Sequence, residues 1–254
     1  MKNLCLLFIF VALAACGGGD NSPTASFSAL SVLGNGDGIA RGVASNGNEA
    51  LLYSPQIAVV VQSANEAQSN AMTDVNASDF PVTSVNGFAR TRSGTLSSDG
   101  IVFNVTAVED TRVTNAGMIF FELPSGNNDI SMVTGDPYSN TPTGSHTYSG
   151  LQTTTASNAI APGATGSFNM TADFSNKTFA YVGSSAGVAV TGSGVLDVSN
   201  GRYATSDLSV TSGGAAYGGT MHGLLHGSGA TSTTGIFHTS GSSPAYTGAF
   251  VGGR

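Results

Sequence analysis

The chain has 254 residues and a formal net charge of −7, and only 9% of its residues are charged. So few Lys and Arg cannot neutralise many phosphates, which excludes nucleic-acid binding as a main role, and there is no basic run to meet anionic lipid. The length allows one large β domain or two smaller ones, and strong apolar runs among abundant Gly, Ser, Thr, Asn and Ala exclude a wholly disordered chain.

Residues 1–15 read as a secretory signal. Lys2 supplies the positive start, and Leu4 to Leu13 is an apolar run too short to span a bilayer. Leu13-Ala14-Ala15-Cys16 is a lipobox, the pattern at which a bacterial lipoprotein signal is cut and the Cys acylated. Gly17 stands where an acidic residue commonly holds lipoproteins at the inner membrane. The expected location is therefore the outer membrane, reached through lipid on Cys16, with periplasmic and surface leaflets both open. Acyl chains supply the membrane affinity. Cys5 leaves with the signal and Cys16 carries lipid, so the mature chain has no disulfide, no thiolate metal ligand and no Cys nucleophile. Residues 16–31 read as a flexible tether, because Gly17-Gly-Gly-Asp-Asn-Ser-Pro-Thr has nothing to bury.

Residues 32–142 read as a β-rich region. Strands are expected over Ile39–Ser45 and Glu49–Tyr53, separated by an Asn46-Gly47-Asn48 turn. Ile57–Val61 is a continuous β-branched run, which suits a strand covered on both faces. The Ala-rich spacing of Ser63–Ser78 allows a short helix. Ile101, Phe103, Val105 and Ala107 alternate with Val102, Asn104, Thr106 and Val108, the pattern of a half-buried strand. Glu109-Asp110-Thr111-Arg112 reads as an exposed loop after it, and Gly117–Leu123 as the strand richest in large apolar groups. The Pro/Gly/Asn cluster of Ser125–Thr143 marks the boundary to the next region.

Residues 143–254 read as a regular meander. The expected strands are Ser145–Gly150, Ser167–Phe174, Lys177–Val182, Val195–Ser199, Tyr203–Val210, Gly218–His226, Thr234–Thr239 and Tyr246–Gly252. In the second, Phe168, Met170, Ala172 and Phe174 face one way and Asn169, Thr171 and Asp173 the other. Ser175-Asn176 and Asn200-Gly201 are hairpin turns, where Asn and Gly tolerate positive φ. The fold class is thus all-β, with a C-terminal eight-stranded antiparallel up-and-down barrel that removes its own edges. A membrane pore is not the expected reading, since the outward residues of Ser167–Phe174 are polar and the chain has no Trp for aromatic girdles.

The end of the chain carries a motif: Gly223-x-x-x-Gly227-x-x-Ala230-x-x-x-x-Gly235-x-Phe237, then Gly248-Ala249-Phe250. It resembles the closing motif of the transferrin-binding protein B-like β-barrel of bacterial surface lipoproteins. His146-Thr-Tyr148-Ser-Gly150 is similar to the opening strand of that barrel. The chain departs from the pattern at Leu225 and His226, where Phe and Tyr are usual, at Ser228 for Pro, and at Ser232 for Glu. The similarity covers about residues 143–254, and residues 32–142 would stand where the family has its handle region. The resemblance implies a surface lipoprotein that captures a nutrient-carrying protein, a metal or a haem compound. It also implies transfer of cargo to a TonB-dependent receptor and a dedicated translocon for surface export.

No residues nominate a catalyst. There is no Gly-x-Ser-x-Gly, His-Glu-x-x-His or P-loop pattern, and no paired carboxylates stand at acid–base spacing, so the reading is not an enzyme and needs no cofactor. His222 and His226 lie on one side of a strand but too far apart to share an ion, and His146 and His238 read as rim or surface residues. Asn35-Gly-Asp37-Gly38 lacks the acidic series of a calcium loop. The expected function is a binding module that works through loops. Tyr138 and Arg202 are its candidate anchors, both expected to be exposed, since Tyr and Arg commonly anchor recognition surfaces. The alternative is a structural or adhesive surface lipoprotein with no small ligand.

Overall fold

The computed structural model describes residues 26–32, 37–43, 49–54, 58–62, 70–71, 80–98, 101–122, 129–156, 163–239 and 244–254. Among them every regular element is a strand. The first ten are β1 (Ser26–Val32), β2 (Asp37–Val43), β3 (Glu49–Ser54), β4 (Ala58–Gln62), β5 (Asn70–Ala71), β6 (Val82–Asn86), β7 (Ala89–Ser98), β8 (Ile101–Asp110), β9 (Ala116–Glu122) and β10 (Asp129–Gly135). Seven of them form one sheet in the order β3-β2-β10-β9-β8-β7-β6, and β1, β4 and β5 form a second.

The remaining strands are β11 (Ser145–Thr155), β12 (Ala164–Asp173), β13 (Thr178–Ser185), β14 (Val188–Asp197), β15 (Arg202–Ser212), β16 (Ala215–His226), β17 (Ser232–Thr239) and β18 (Thr247–Gly253). They close into an antiparallel barrel in which each strand pairs with its sequence neighbour and β11 pairs with β18, setting Leu151 opposite Val251. This is the eight-stranded up-and-down barrel that the meander predicted.

Period-two alternation places the barrel core. Along β13 every second side chain is buried. The same holds for Phe168, Met170 and Ala172 of β12, as their spacing predicted. Eight strands enclose an interior that side chains just fill. Here Tyr148, Phe168, Tyr181, Tyr203, Phe237 and Phe250 dominate the filling. So many rings need room, and glycines on neighbouring strands supply it. A Cβ at Gly223 would strike the Tyr203 ring, one at Gly235 the Phe250 ring, and one at Gly248 the Phe237 ring. Gly223, Gly235 and Gly248 of the closing motif are therefore spaces for aromatic rings, whereas Gly227 (φ 75°) serves the turn.

A second core lies outside the barrel. Ile39, Ala89, Val108, Met118, Phe120 and Val133 of the seven-stranded sheet pack against Leu151, Leu224, Ile236, Ala249 and Val251 of the barrel wall. β17 and β18 are consequently buried on both faces. The alternation read in β8 holds for Val105 and Ala107, but Val108 is buried too, because the barrel covers the other face.

Other differences have local causes. β1 starts at Ser26, within the stretch read as tether. β14 spans Val188–Asp197, ahead of the predicted Val195–Ser199. Gly192 and Gly194 dilute its apolar pattern, and the Asp197 carboxylate accepts the Ser199 amide (3.0 Å), which turns the chain there. The helix allowed over Ser63–Ser78 falls mostly outside the described residues, of which Asn70–Ala71 form β5. Glu109 and Asp110 end β8 instead of opening an exposed loop. Asp110 is fully buried and accepts both the Arg112 amide (3.0 Å) and its Nε–H (2.8 Å).

Candidate functional site

The two ends of the barrel differ. At one end lie the turns 174–177, 198–201 and 227–231, together with the connector 136–144 that leads from β10 into β11. Ser139 bridges to Ser228, and its amide donates to the Gly227 carbonyl (3.3 Å). Gly229 N–H donates to the Ser139 carbonyl (2.7 Å), and Asn140 Nδ2 to Ser228 Oγ (2.8 Å). Inside this end the Tyr148 hydroxyl donates to the Ala230 carbonyl (2.8 Å), and burial pushes that phenol well above its ordinary pKa. The connector thus lies across the end of the barrel and is bonded to it.

Tyr138 belongs to this closure. The sequence predicted an exposed anchor, but the side chain is half-buried. Its ring packs on Gly201, and its hydroxyl donates to Thr141 Oγ1 (2.9 Å), which in turn donates to the Val198 carbonyl (3.0 Å). A Tyr in a loop is drawn inward when a barrel end beside it has apolar surface left to cover. Arg202 follows Gly201, so the two candidates are brought together. Arg202 is exposed, with its amide donating to Asn200 Oδ1 (3.0 Å).

Charge gathers at the connector end. Lys177 and Arg202 flank its turns, and Arg254 Nη1 lies 3.1 Å from His146 Nδ1. Asp173 and Asp197 are held below the usual carboxylate range, Asp173 chiefly by the Asn176 amide and Asp197 chiefly by the Ser199 hydroxyl.

The far end carries the turns 186–187 and 213–214. Ala186-Gly187 (φ 49 and 78°) and Gly213-Gly214 (φ 57 and 84°) are tight turns with both central residues at positive φ, the geometry that matches strand twist. Just inside this end Tyr181 hydroxyl donates to Gln152 Oε1 (2.7 Å), Gln152 Nε2 donates to Thr154 Oγ1 (3.0 Å), and Ser185 completes the network. Across from it the rings of Tyr217 and Tyr246 meet at 5.1 Å and 49°. Tyr246 is buried and donates its amide to Thr239 Oγ1 (2.9 Å), while Tyr217 is half-buried. No Asp, Glu, Lys or Arg occurs from 208 to 253. At the other end, Ser232 Oγ donates to Asn115 Oδ1 (2.8 Å), which joins β17 to the residue that precedes β9. The signal for this site was present in the sequence as a charge-free stretch bearing Tyr217 and Tyr246, but only closure of the barrel turns both rings into its mouth.

The histidines serve the seam between sheet and barrel more than any site. His222 and His226 do face the same side. His226 is fully buried against Gly135, its Nε2 2.7 Å from Thr234 Oγ1 and its Nδ1 3.3 Å from the Asp136 carbonyl, and burial pushes its pKa down to about 4. Burial lowers His222 as well. His238 lies 3.2 Å from Thr220 Oγ1. Among the described residues no three His, Cys, Asp or Glu are placed to hold a metal ion. Cys16 lies outside the described residues.

A further surface lies on the edge strand β6, where Val82, Val85 and Phe88 are exposed. Pro81 and a register shift between Val82 and Ser84 blunt that edge, and the Arg112 guanidinium covers the Phe88 ring at 4.3 Å.

No protein-family model matches the chain, and no curated protein matches it. Solved structures do. A double mutant of the vaccine antigen transferrin-binding protein B from Haemophilus parasuis Hp5 aligns with a TM-score of 0.55 at 12% identity, over 85% of this chain and 44% of that one. Intact Ap-TbpB, with its N and C lobes, aligns with a TM-score of 0.51 at 14% identity, over 85% of this chain and 46% of that one. Isotype 1 transferrin-binding protein B from serogroup B Neisseria meningitidis aligns with a TM-score of 0.50 at 11% identity, over 86% and 43%. The chain thus spans less than half the length of these proteins, and its fold, a β-sheet region joined to a closed eight-stranded barrel, is similar to that of transferrin-binding protein B.

Proposed function

We propose that this chain is a lipid-anchored outer-membrane protein that captures its ligand on the outer surface at the far end of the barrel. One observation carries the reading: the connector 136–144 is bonded across one end, so the loops of the other end remain for recognition. Rigid strands presenting loops are a common way to build such a surface. The interior is packed with aromatic rings, which favours capture on the outside over storage of a haem or metal within. The lipobox at Cys16 supplies the anchor. The likeness to transferrin-binding protein B makes a carrier protein the first class of ligand to test, with a TonB-dependent receptor as acceptor of the cargo and a translocon for export. Catalysis has no part in this reading.

The test uses soluble chain beginning at Gly17. Its ligand is isolated by cross-linking from the native surroundings, and affinity is measured by biolayer interferometry. A four-residue Gly/Ser insertion between Gly213 and Gly214 should abolish binding, whereas the same insertion between Ser175 and Asn176 should not. Loss confined to the second insertion would overturn the reading.

A further inference from the structure

We propose that the chain cuts itself at the Asp136–Pro137 bond under mild acid, with the Asp136 carboxyl as nucleophile and the end of β16 holding the carbonyl that is attacked.

The bond is singular in this sequence. Of the eight prolines only Pro137 follows an Asp. The bond lies where β10 runs into the connector, and both of its residues are exposed, so water reaches it. Proline has no N–H. The common ring closure of an Asp, in which the next amide nitrogen attacks the side chain, is therefore closed to Asp136. Its carboxyl can instead attack its own main-chain carbonyl, which makes a five-membered cyclic anhydride. The prolyl nitrogen carries two alkyl groups, so it is protonated and expelled more readily than the nitrogen of other peptide bonds.

The fold acts on the carbonyl. The Asp136 carbonyl accepts from the Gly227 amide (3.1 Å), and His226 Nδ1 lies 3.3 Å from the same oxygen. A carbonyl only accepts, so Nδ1 carries the ring proton, and Nε2 is left to accept from the Thr234 hydroxyl (2.7 Å). Two donors on one carbonyl oxygen are the arrangement that stabilises the oxyanion of acyl transfer. Both are held in place. His226 is fully buried against Gly135, where a Cβ would lie 2.6 Å from the ring, and the Asp136 amide donates to the Asn115 carbonyl (2.8 Å). His226, from β16, is the titratable group at this carbonyl, and burial pushes its pKa down to about 4. Asn115, before β9, and Thr234, of β17, are neutral.

The step balances with water alone. The Asp136 carboxyl oxygen bonds to the Asp136 carbonyl carbon, the C–N bond to Pro137 breaks, and the carboxyl proton passes to the Pro137 nitrogen. Water then opens the anhydride and leaves two carboxyl groups on Asp136. The rate rises as pH falls, because the carboxyl must carry the proton that it delivers. After the cut, Ile39, Val108 and Val133 still pack against Leu224, Ile236 and Val251, so the two pieces stay together. The barrel then has no covalent link to Cys16, the expected lipid site.

The experiment incubates soluble chain from Gly17 at about pH 7.5 and about pH 5 and follows its intact mass. Two fragments that meet at Asp136–Pro137 should appear, faster at the lower pH and at a rate independent of protein concentration. Hydroxylamine present during the reaction should be captured on Asp136, the mark of the anhydride. Asp136→Asn and Pro137→Ala should abolish the cut. His226→Leu should slow it about tenfold, since the oxyanion loses one donor. Circular dichroism checks that each variant is folded. Asp–Pro bonds are labile to strong acid in any chain, so the decisive comparison is with chain unfolded in urea at the same pH. The folded chain should be cut at least about tenfold faster. If His226→Leu does not fold, that comparison decides alone. An equal or faster cut in the unfolded chain, a cut that persists in Asp136→Asn, absence of hydroxylamine capture, or a folded chain that stays intact at about pH 5 overturns the proposal.

Discussion

The Tyr148 hydroxyl donates a 2.8 Å hydrogen bond to the Ala230 carbonyl, tying the first barrel strand to the β16–β17 turn 82 residues away. Ala230 is fully buried at φ 57°, a conformation that non-glycine residues rarely adopt. Tyr148→Phe leaves that carbonyl buried without its donor and should cost about 1–3 kcal/mol in urea unfolding. Ala230→Val adds a β-branched side chain at the same positive φ and should cost more. Equal stability of Tyr148→Phe and the parent would show that this bond contributes nothing.

His226 should make the protein acid-labile. Its pKa is about 4 in the fold against an ordinary 6.5. The unfolded chain therefore takes up a proton near pH 6.5, whereas the fold resists until about pH 4. The His226 contribution is complete above pH 6.5 and is lost as pH falls between these values, by roughly 3 kcal/mol in all. His226→Gln should flatten the pH dependence of urea unfolding between pH 7 and pH 4, whatever it does to stability at pH 7. Parallel profiles for variant and parent would rule out His226 as the source.

The barrel alone should be less stable than the full chain. A 143–254 fragment exposes Leu151, Leu224, Ile236, Ala249 and Val251, which the seven-stranded sheet covers. It should show β circular dichroism yet melt below the full chain and self-associate. Ile236→Ser should reduce the association. A monomeric fragment melting with the full chain would show that the seam adds no stability. Inside the barrel, Phe168 stacks on Tyr181 at 5.2 Å, and Phe168→Ala should cost about 3–5 kcal/mol.

Tyr138→Ala should act on stability and not on ligand affinity, because the side chain closes the connector end. A loss of roughly 1–3 kcal/mol is expected, with affinity unchanged in both Tyr138→Ala and Arg202→Ala. Weakened binding in either folded variant would restore the connector end as a recognition surface.

Cys16→Ser should leave unprocessed precursor and abolish palmitate labelling, as the lipobox requires. Normal acylation of that variant would remove the anchor from this account.

Much of the barrel could be read directly. Alternation along Phe168, Met170 and Ala172 identified an inward face, and glycines near the C-terminus marked the closing strands. These are local signals, since a strand has period two whatever it packs against. Three things needed the folded chain. Val108 and Ile236 look like ordinary strand residues until the sheet is laid on the barrel wall and covers them. Tyr138 looks like a loop aromatic until the connector is drawn across Gly201. Tyr217 and Tyr246 lie far apart in sequence and meet only because β16 and β18, both paired with β17, turn them into the same mouth. Periodicity says which side chains share a face of one strand; what that face meets is set by contacts between strands distant in sequence, and those contacts decided which end of the barrel the connector closes.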